Sequence, residues 1–153
     1  MTTRTTPARS CPSGDATARR VTVRIPMVPA PALSPNMRSR RGGHYEREAA
    51  TRELREAAWA AVYTKDADGD CLIDWTRFKG PVQVHEHIIW PKSKGVLPDP
   101  DSIATYCKPA LDGIVDAGLI AGDSHRHIAS VTTSQEKGAD PLGWTVITIE
   151  EAH

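Results

Sequence analysis

Three aspartates stand out as residues that could do chemistry. Asp99 and Asp101 flank Pro100 at the start of a helical stretch, and Asp123 closes the segment beyond it. Two carboxylates one residue apart at a loop-to-helix junction can converge on one hard cation. Magnesium takes oxygen ligands in octahedral geometry and keeps several waters. A helix and a short turn can bring the chain back to its starting edge, where a third carboxylate could join the same ion. A metal held there makes a nucleophile of its bound water and steadies the charge that grows on a phosphate under in-line attack. Asp-x-Asp before a helix is equally a capping pattern, with Asp101 favoured at the positive end of the macrodipole.

The elements that must position these side chains follow from periodicity. Val21 to Ile25 alternates strictly and reads as a half-buried strand. Pro26, Pro29, Pro31 and Pro35 then break regularity before the Arg38 to Gly43 loop. A helix is predicted from about Tyr45 to Val62, with Ala50, Leu54, Ala57, Ala58 and Ala61 on one apolar stripe. Val82 to Trp90 is the next strand, and Glu86 interrupts its apolar face, which places Glu86 near solvent or near a site. A second helix is predicted over about Asp101 to Ala117, capped by Gly118. Strands at Arg126 to Thr133 and Trp144 to Ile149, joined by a polar loop from Gln135 to Gly143, complete the set. The order β-α-β-α-β-β predicts an α+β domain with its helices on one small mixed sheet.

The segment from Asp99 to Asp123 resembles the signature of the RusA family of Holliday junction resolvases. Its features are Asp99-Pro100-Asp101-Ser102, then Lys108-Pro109-Ala110-Leu111-Asp112, then Asp116-Ala117-Gly118-Leu119-Ile120-Ala121-Gly122-Asp123. The similarity extends over residues 21 to 150. It implies a crossover junction endodeoxyribonuclease, a small homodimer that binds four-way DNA junctions and makes paired symmetric nicks with magnesium or manganese. It also implies a role in DNA recombination and repair, in the cytoplasm of a bacterial host, often encoded by a phage or prophage. Residue by residue, the resemblance assigns the metal to Asp99, Asp101 and Asp123, and an essential lysine to Lys108. An alternative of a different class is a non-catalytic branched-DNA binder of the same fold.

Three departures from the family pattern bear on that alternative. Ser102 stands where the family has Asn, and Gly122 replaces the first acid of the closing pair. Lys108 lies seven residues after Asp101, about three more than usual, which on a straight helix is roughly 10 Å along the axis. Pro109 inside a continuous helix would cost roughly 3 kcal/mol. A kink, or a separate short turn over Ser102 to Cys107 with the main helix starting near Pro109, is therefore expected.

Other polar residues carry weaker expectations. Arg38, Arg40, Arg41, Lys92 and Lys94 are candidate DNA phosphate contacts, which position a duplex without reading its sequence. Asp123, His125 and His127 alternate, so in a strand they would face one way and could supplement a metal site. Exposed polar residues entering a strand are the plainer reading. His85 and His87 follow the same logic, and Asp112 reads as a helix-face partner of Lys108. Asp66 to Asp70 resembles the start of an EF-hand, but its glycine stands at position 4, and Arg77 stands where a bidentate Glu is needed. Trp59, Trp75, Trp90 and Trp144 read as core or dimer-contact residues.

Bulk properties narrow the class. The 153 residues fit one domain, and the formal net charge is zero. That balance hides an asymmetry: residues 1 to 43 hold eight arginines and one acid, +7, which leaves −7 for the rest. Residues 1 to 20, rich in Thr, Ser, Pro and Arg, are expected to be a disordered basic tail. No window reaches the roughly 20 apolar residues of a membrane span, and the three separated cysteines suggest free thiols in a reducing compartment.

Overall fold

The computed structural model describes residues 18–35 and 43–152. The expected basic tail, except its last residues, and the Arg38, Arg40 and Arg41 positions lie outside the described residues.

Strand β1 (Arg20–Ile25) is followed by a 3-10 turn over Pro31–Leu33 and helix α1 (Gly43–Val62). Strand β2 (Val82–Trp90), a 3-10 turn over Pro100–Ser102 and helix α2 (Ile103–Asp116) come next. Strands β3 (Ile128–Lys137) and β4 (Trp144–Glu151) close the chain. The four strands form one mixed sheet in the order β1-β4-β2-β3. β4 runs antiparallel to both β1 and β2, and β3 runs parallel to β2. The α+β class and the β-α-β-α-β-β order are those expected from the periodicity.

The parallel β2–β3 pair is what places the candidate site. Parallel neighbours need a crossover connection, and here α2 supplies it. Residues 91–127 must therefore leave one end of β2, cross the sheet as α2 and return to its other end, which fixes where Asp99 and Asp123 fall.

Burial alternates along the strands, with Val21, Val23, Ile25, Val82, Val84, Ile88, Trp90, Ile147 and Ile149 all buried. Helix α2 buries Ile103, Tyr106, Cys107, Ala110, Leu111 and Ile114, a stripe at 3, 4, 7, 8 and 11 residues from its start. Helix α1 adds Leu54, Ala58 and Val62. The two helices touch at Gly113, where a Cβ would lie 2.2 Å from the Arg55 carbonyl oxygen and 2.9 Å from Ala58 Cβ. Arg55 pairs with Asp116 across the same seam, Nη2 to Oδ1 at 2.9 Å.

The expected break at Pro109 is absent: α2 is one helix with Pro109 inside it, buried. Magnitudes explain why. The missing Pro109 hydrogen bond and ring clash cost about 3 kcal/mol. Burying Ile103, Leu111 and Ile114 stabilises by about 1.5–3 kcal/mol each, and ending the helix at Cys107 would break up that stripe. A separate turn does exist, but it is shorter and earlier, over Pro100–Ser102.

Strand β3 is also longer than predicted. Gln135, Glu136 and Lys137, expected in a loop, pair with Ile88, Ile89 and Trp90. Their polar side chains reflect an edge strand, where only one neighbour demands apolar contact.

Candidate metal and catalytic site

The loop that delivers the first two aspartates is fastened to the sheet by Gln135. Its Nε2 donates to the Pro98 carbonyl at 2.7 Å, while its Oε1 accepts from Trp90 Nε1 at 2.8 Å. Asp99 then precedes the 3-10 turn, and Asp101 lies within it; both are exposed. Ser102 Oγ donates back to the Asp99 carbonyl at 2.7 Å, a local bond within the reach of the shorter side chain. Asp99 and Asp101 share a hollow of about 420 Å³ with Ser34, Pro35, Pro98, Ser102 and Tyr106.

Lys108 and Asp123 meet although they are 15 residues apart. Lys108 Nζ donates to Asp123 Oδ2 and to Asp112 Oδ1, each at 2.7 Å. Two devices bring Asp123 there. Gly118, at φ 90°, ends α2 in the left-handed region, and its amide bonds the Val115 carbonyl. Buried Leu119 and Ile120 then tuck the chain against the core, with the Leu119 carbonyl held by the Phe78 amide at 2.9 Å.

The electrostatics follow the contacts. Partial burial works against the Lys108 charge, but the hydrogen bonds it donates to Asp112 and Asp123 outweigh it and hold the ammonium above its ordinary range. The Lys108 hydrogen bond, reinforced by its charge, pulls the Asp123 carboxyl below the usual carboxylate range.

The four assigned residues thus form two pairs, Asp99 with Asp101 and Lys108 with Asp123. Among the described residues, no group of three or more His, Cys, Asp or Glu side chains is gathered closely enough to hold a metal ion. The closing turn explains part of this. Asp123 turns to Lys108, and Gly122 leaves no acid beside it. A Cβ at Gly122 would lie 2.8 Å from His127 Cδ2, so the space for a side chain there is already filled.

His125 and His127 do not enter a strand with Asp123. The amides of His127 and Ile128 both bond the Ser124 carbonyl at 2.9 Å, closing a turn, and β3 starts only at Ile128. His85 and His87 lie on the sheet face away from the helices. Ser134 Oγ lies 2.7 Å from His85 Nε2 and 2.6 Å from His87 Nδ1, and Thr132 Oγ1 lies 2.6 Å from His85 Nδ1. Lys92 and Lys94 follow β2; the Lys94 ammonium sits 4.5 Å from the centre of the Trp90 ring. Asp66 Oδ1 accepts from the amides of Asp68 and Asp70, so that segment closes a local turn. Trp90 is buried, whereas Trp59 and Trp75 are half-exposed with Tyr63 between them.

Glu86, expected near solvent or near a site, is far from solvent. It is 1% exposed on the covered sheet face, and its Oε1 has no hydrogen-bond partner. Desolvation pushes its carboxyl up to about 7, against the opposing pull of Lys108. The sequence signal was present: an acid at an inward position of an otherwise apolar strand. Gln135 left no such signal, because its role depends on the register of β3.

No family model matches the chain, and no curated protein matches its sequence.

Proposed function

We propose that this chain is a magnesium-dependent endodeoxyribonuclease that cleaves four-way DNA junctions by paired nicks, acting as a homodimer in the bacterial cytoplasm. The observation that carries the reading is the Lys108–Asp123 contact at 2.7 Å. These are two of the four residues that the RusA resemblance assigns to the site. They meet despite the lengthened spacing and the proline.

The donor set suits a hard cation. Magnesium is commonly held by one or two carboxylates plus waters and substrate phosphate, which the exposed pair Asp99 and Asp101 can offer. Asp123 would join them only by giving up part of its hold on Lys108. When bound, the metal supplies an activated water and offsets charge on the phosphate. Lys108 presents a half-exposed ammonium that can face a phosphate oxygen, and Asp112 fixes its direction from one helical turn away. Lys92 and Lys94 supply further positive charge after β2. No helix of the described residues is long and apolar enough to cross a membrane.

One observation favours a second reading, a branched-DNA binder without catalysis: no three-carboxylate set is assembled among the described residues. Cleavage of a synthetic four-way junction against a matched linear duplex separates the two. Paired nicks on the junction alone, dependent on magnesium or manganese and lost in Asp101→Asn, are the result expected. Junction binding without nicks in either metal would leave the binder reading.

A further inference from the structure

Three hollows beside helix α1 join into one furrow. The first, of about 380 Å³, lies between α1 and α2 and is lined by Arg47, Thr51, Thr105, Lys108 and Asp112. It shares Arg47 and Thr51 with a second, of about 580 Å³, which adds Arg52 and Arg55. The second shares Arg52 and Arg55 with a third, which ends at Trp59. Arg47, Thr51, Arg55 and Trp59 recur every fourth residue and so form one stripe of α1. At 1.5 Å per residue that stripe is about 18 Å long.

The furrow starts beside the acidic pair. Arg47 Nη1 donates to the Ala32 and Ser34 carbonyls at 3.3 and 3.2 Å, and Ser34 lines the hollow that holds Asp99 and Asp101. Those bonds fix the guanidinium and, among the described residues, leave its Nε and Nη2 donors without a partner. Lys108 keeps one N–H beyond its bonds to Asp112 and Asp123. In the first two hollows Arg47, Arg52, Arg55 and Lys108 stand against Glu48 and Asp112, a local +2 within residues 44 to 153, which sum to −7. The third hollow is neutral, because Glu56 and Asp116 balance its two arginines. Its distinctive group is Trp59, 48% exposed and packed on Tyr63. Cations followed by an open aromatic ring suit a single nucleic-acid strand, whose phosphates pair with the cations while a base stacks on the ring. A stacked strand advances about 3.4 Å per nucleotide, so the stripe faces about five of them.

We propose that this furrow is the track of one DNA strand, with Arg47 and Arg52 on its phosphates and Trp59 stacked on a base at the far end. That the strand is DNA rests on the nuclease reading; occupancy of the furrow needs neither metal nor cleavage. An acidic peptide would match the arginines, but its carboxylates offer Trp59 no stacking face. The contacts set the direction in which the strand leaves the acidic pair without reading its sequence.

The test is binding of a synthetic four-way junction by the full chain, without divalent metal, over a range of salt concentrations. Arg47→Ala combined with Arg52→Ala should weaken binding about 10-fold or more and lower the slope of log K against log salt by about 1.4 to 1.8, for two lost phosphate contacts. Trp59→Ala should weaken binding at least about 5-fold and leave the slope unchanged. Arg20→Ala, on the sheet face away from the helices, should do neither. Unchanged affinity and slope in the double variant, or an equal loss in Arg20→Ala, would overturn the track. So would a polyglutamate peptide that displaces the junction as well as single-stranded DNA of equal charge, which would make the furrow a protein-docking face. Should Arg47→Ala not fold, Arg52→Ala alone, at an exposed position, should lower the slope by about 0.7 to 0.9. Nicking in magnesium separates this proposal from the nuclease reading. Nicks by the unmodified chain with unchanged binding in the variants sink the track alone. Binding that the variants lose, with no nicks by the unmodified chain, keeps the track and sinks the nuclease. No junction binding by the unmodified chain overturns both.

Discussion

The buried carboxyl of Glu86 makes stability depend on pH in an unusual direction. Its folded-state value is about 7 against 4.5 for the free group, and desolvation beneath α2 is the larger cause. Between those values the native chain keeps a proton that the unfolded chain has released. Stability is then complete below about 4.5 and is lost as the pH rises through about 7. At about 1.36 kcal/mol per pH unit, the displacement corresponds to about 3 kcal/mol, a large share of a small domain's 5–15 kcal/mol. In melting temperature it amounts to roughly 10 °C. Urea denaturation from about pH 5 to 8 should show this decline in the unmodified chain and lose it in Glu86→Gln, which has the same shape and no charge to bury. Exposed Asp116 and Asp123, both held low by their cationic partners, act with the opposite sign and only below the carboxylate range, so they do not confuse the window. Parallel pH profiles for the two proteins would refute the assignment of Glu86 as a buried, destabilising acid.

Further substitutions test other parts of the structure. Gly113→Ala should cost at least about 3 kcal/mol by chemical denaturation, because its methyl would meet the Arg55 carbonyl oxygen at 2.2 Å, a backbone atom that cannot rotate away. Lys108→Met should abolish junction cleavage, return the Asp123 carboxyl towards its ordinary range by carbon NMR titration, and tighten magnesium binding; retained cleavage would remove Lys108 from the mechanism. Gly122→Asp, which restores the first acid of the resemblance's closing pair, should destabilise by about 1–2 kcal/mol through the 2.8 Å clash with His127. Adding His127→Ala should recover most of that loss.

The fold was readable wherever one rule governed a whole element. Alternation located β1, β2 and β4, and the Ala-rich stripe located α1, because each buries one face against the same core. The sequence failed where two rules competed. At Pro109, a local preference of about 3 kcal/mol opposed several buried apolar side chains acting together, and the collective effect prevailed. At Gln135 to Lys137 the residues look like a loop, yet the β2 edge supplies backbone partners that no local composition reports. His125 and His127 alternate like a strand, but the Ser124 carbonyl draws two successive amides into a turn.

The site divides along the same line. Its residue types and the approach of Asp123 to Lys108 follow from a helix that ends at Gly118 and a chain that must return to β3. What the expected break at Pro109 concealed is that the axial separation is kept. With α2 unbroken, Lys108 stays about 10 Å along the helix from the Asp101 turn, so one lysine cannot neutralise both ends of the acidic segment. Asp99 and Asp101 therefore remain exposed at one end, while Lys108 occupies the position beside Asp123 that a cation would otherwise take. A divalent ion recruiting Asp123 must compete with that ammonium, and loading becomes an exchange of cations at one carboxylate. Asp112 and Asp123 against Lys108 leave one net negative charge, which favours the approach of the competing cation. On the nuclease reading, an unbroken α2 thus turns the lysine's longer spacing into a division of labour, with Asp99 and Asp101 open to a cation and Asp123 already paired.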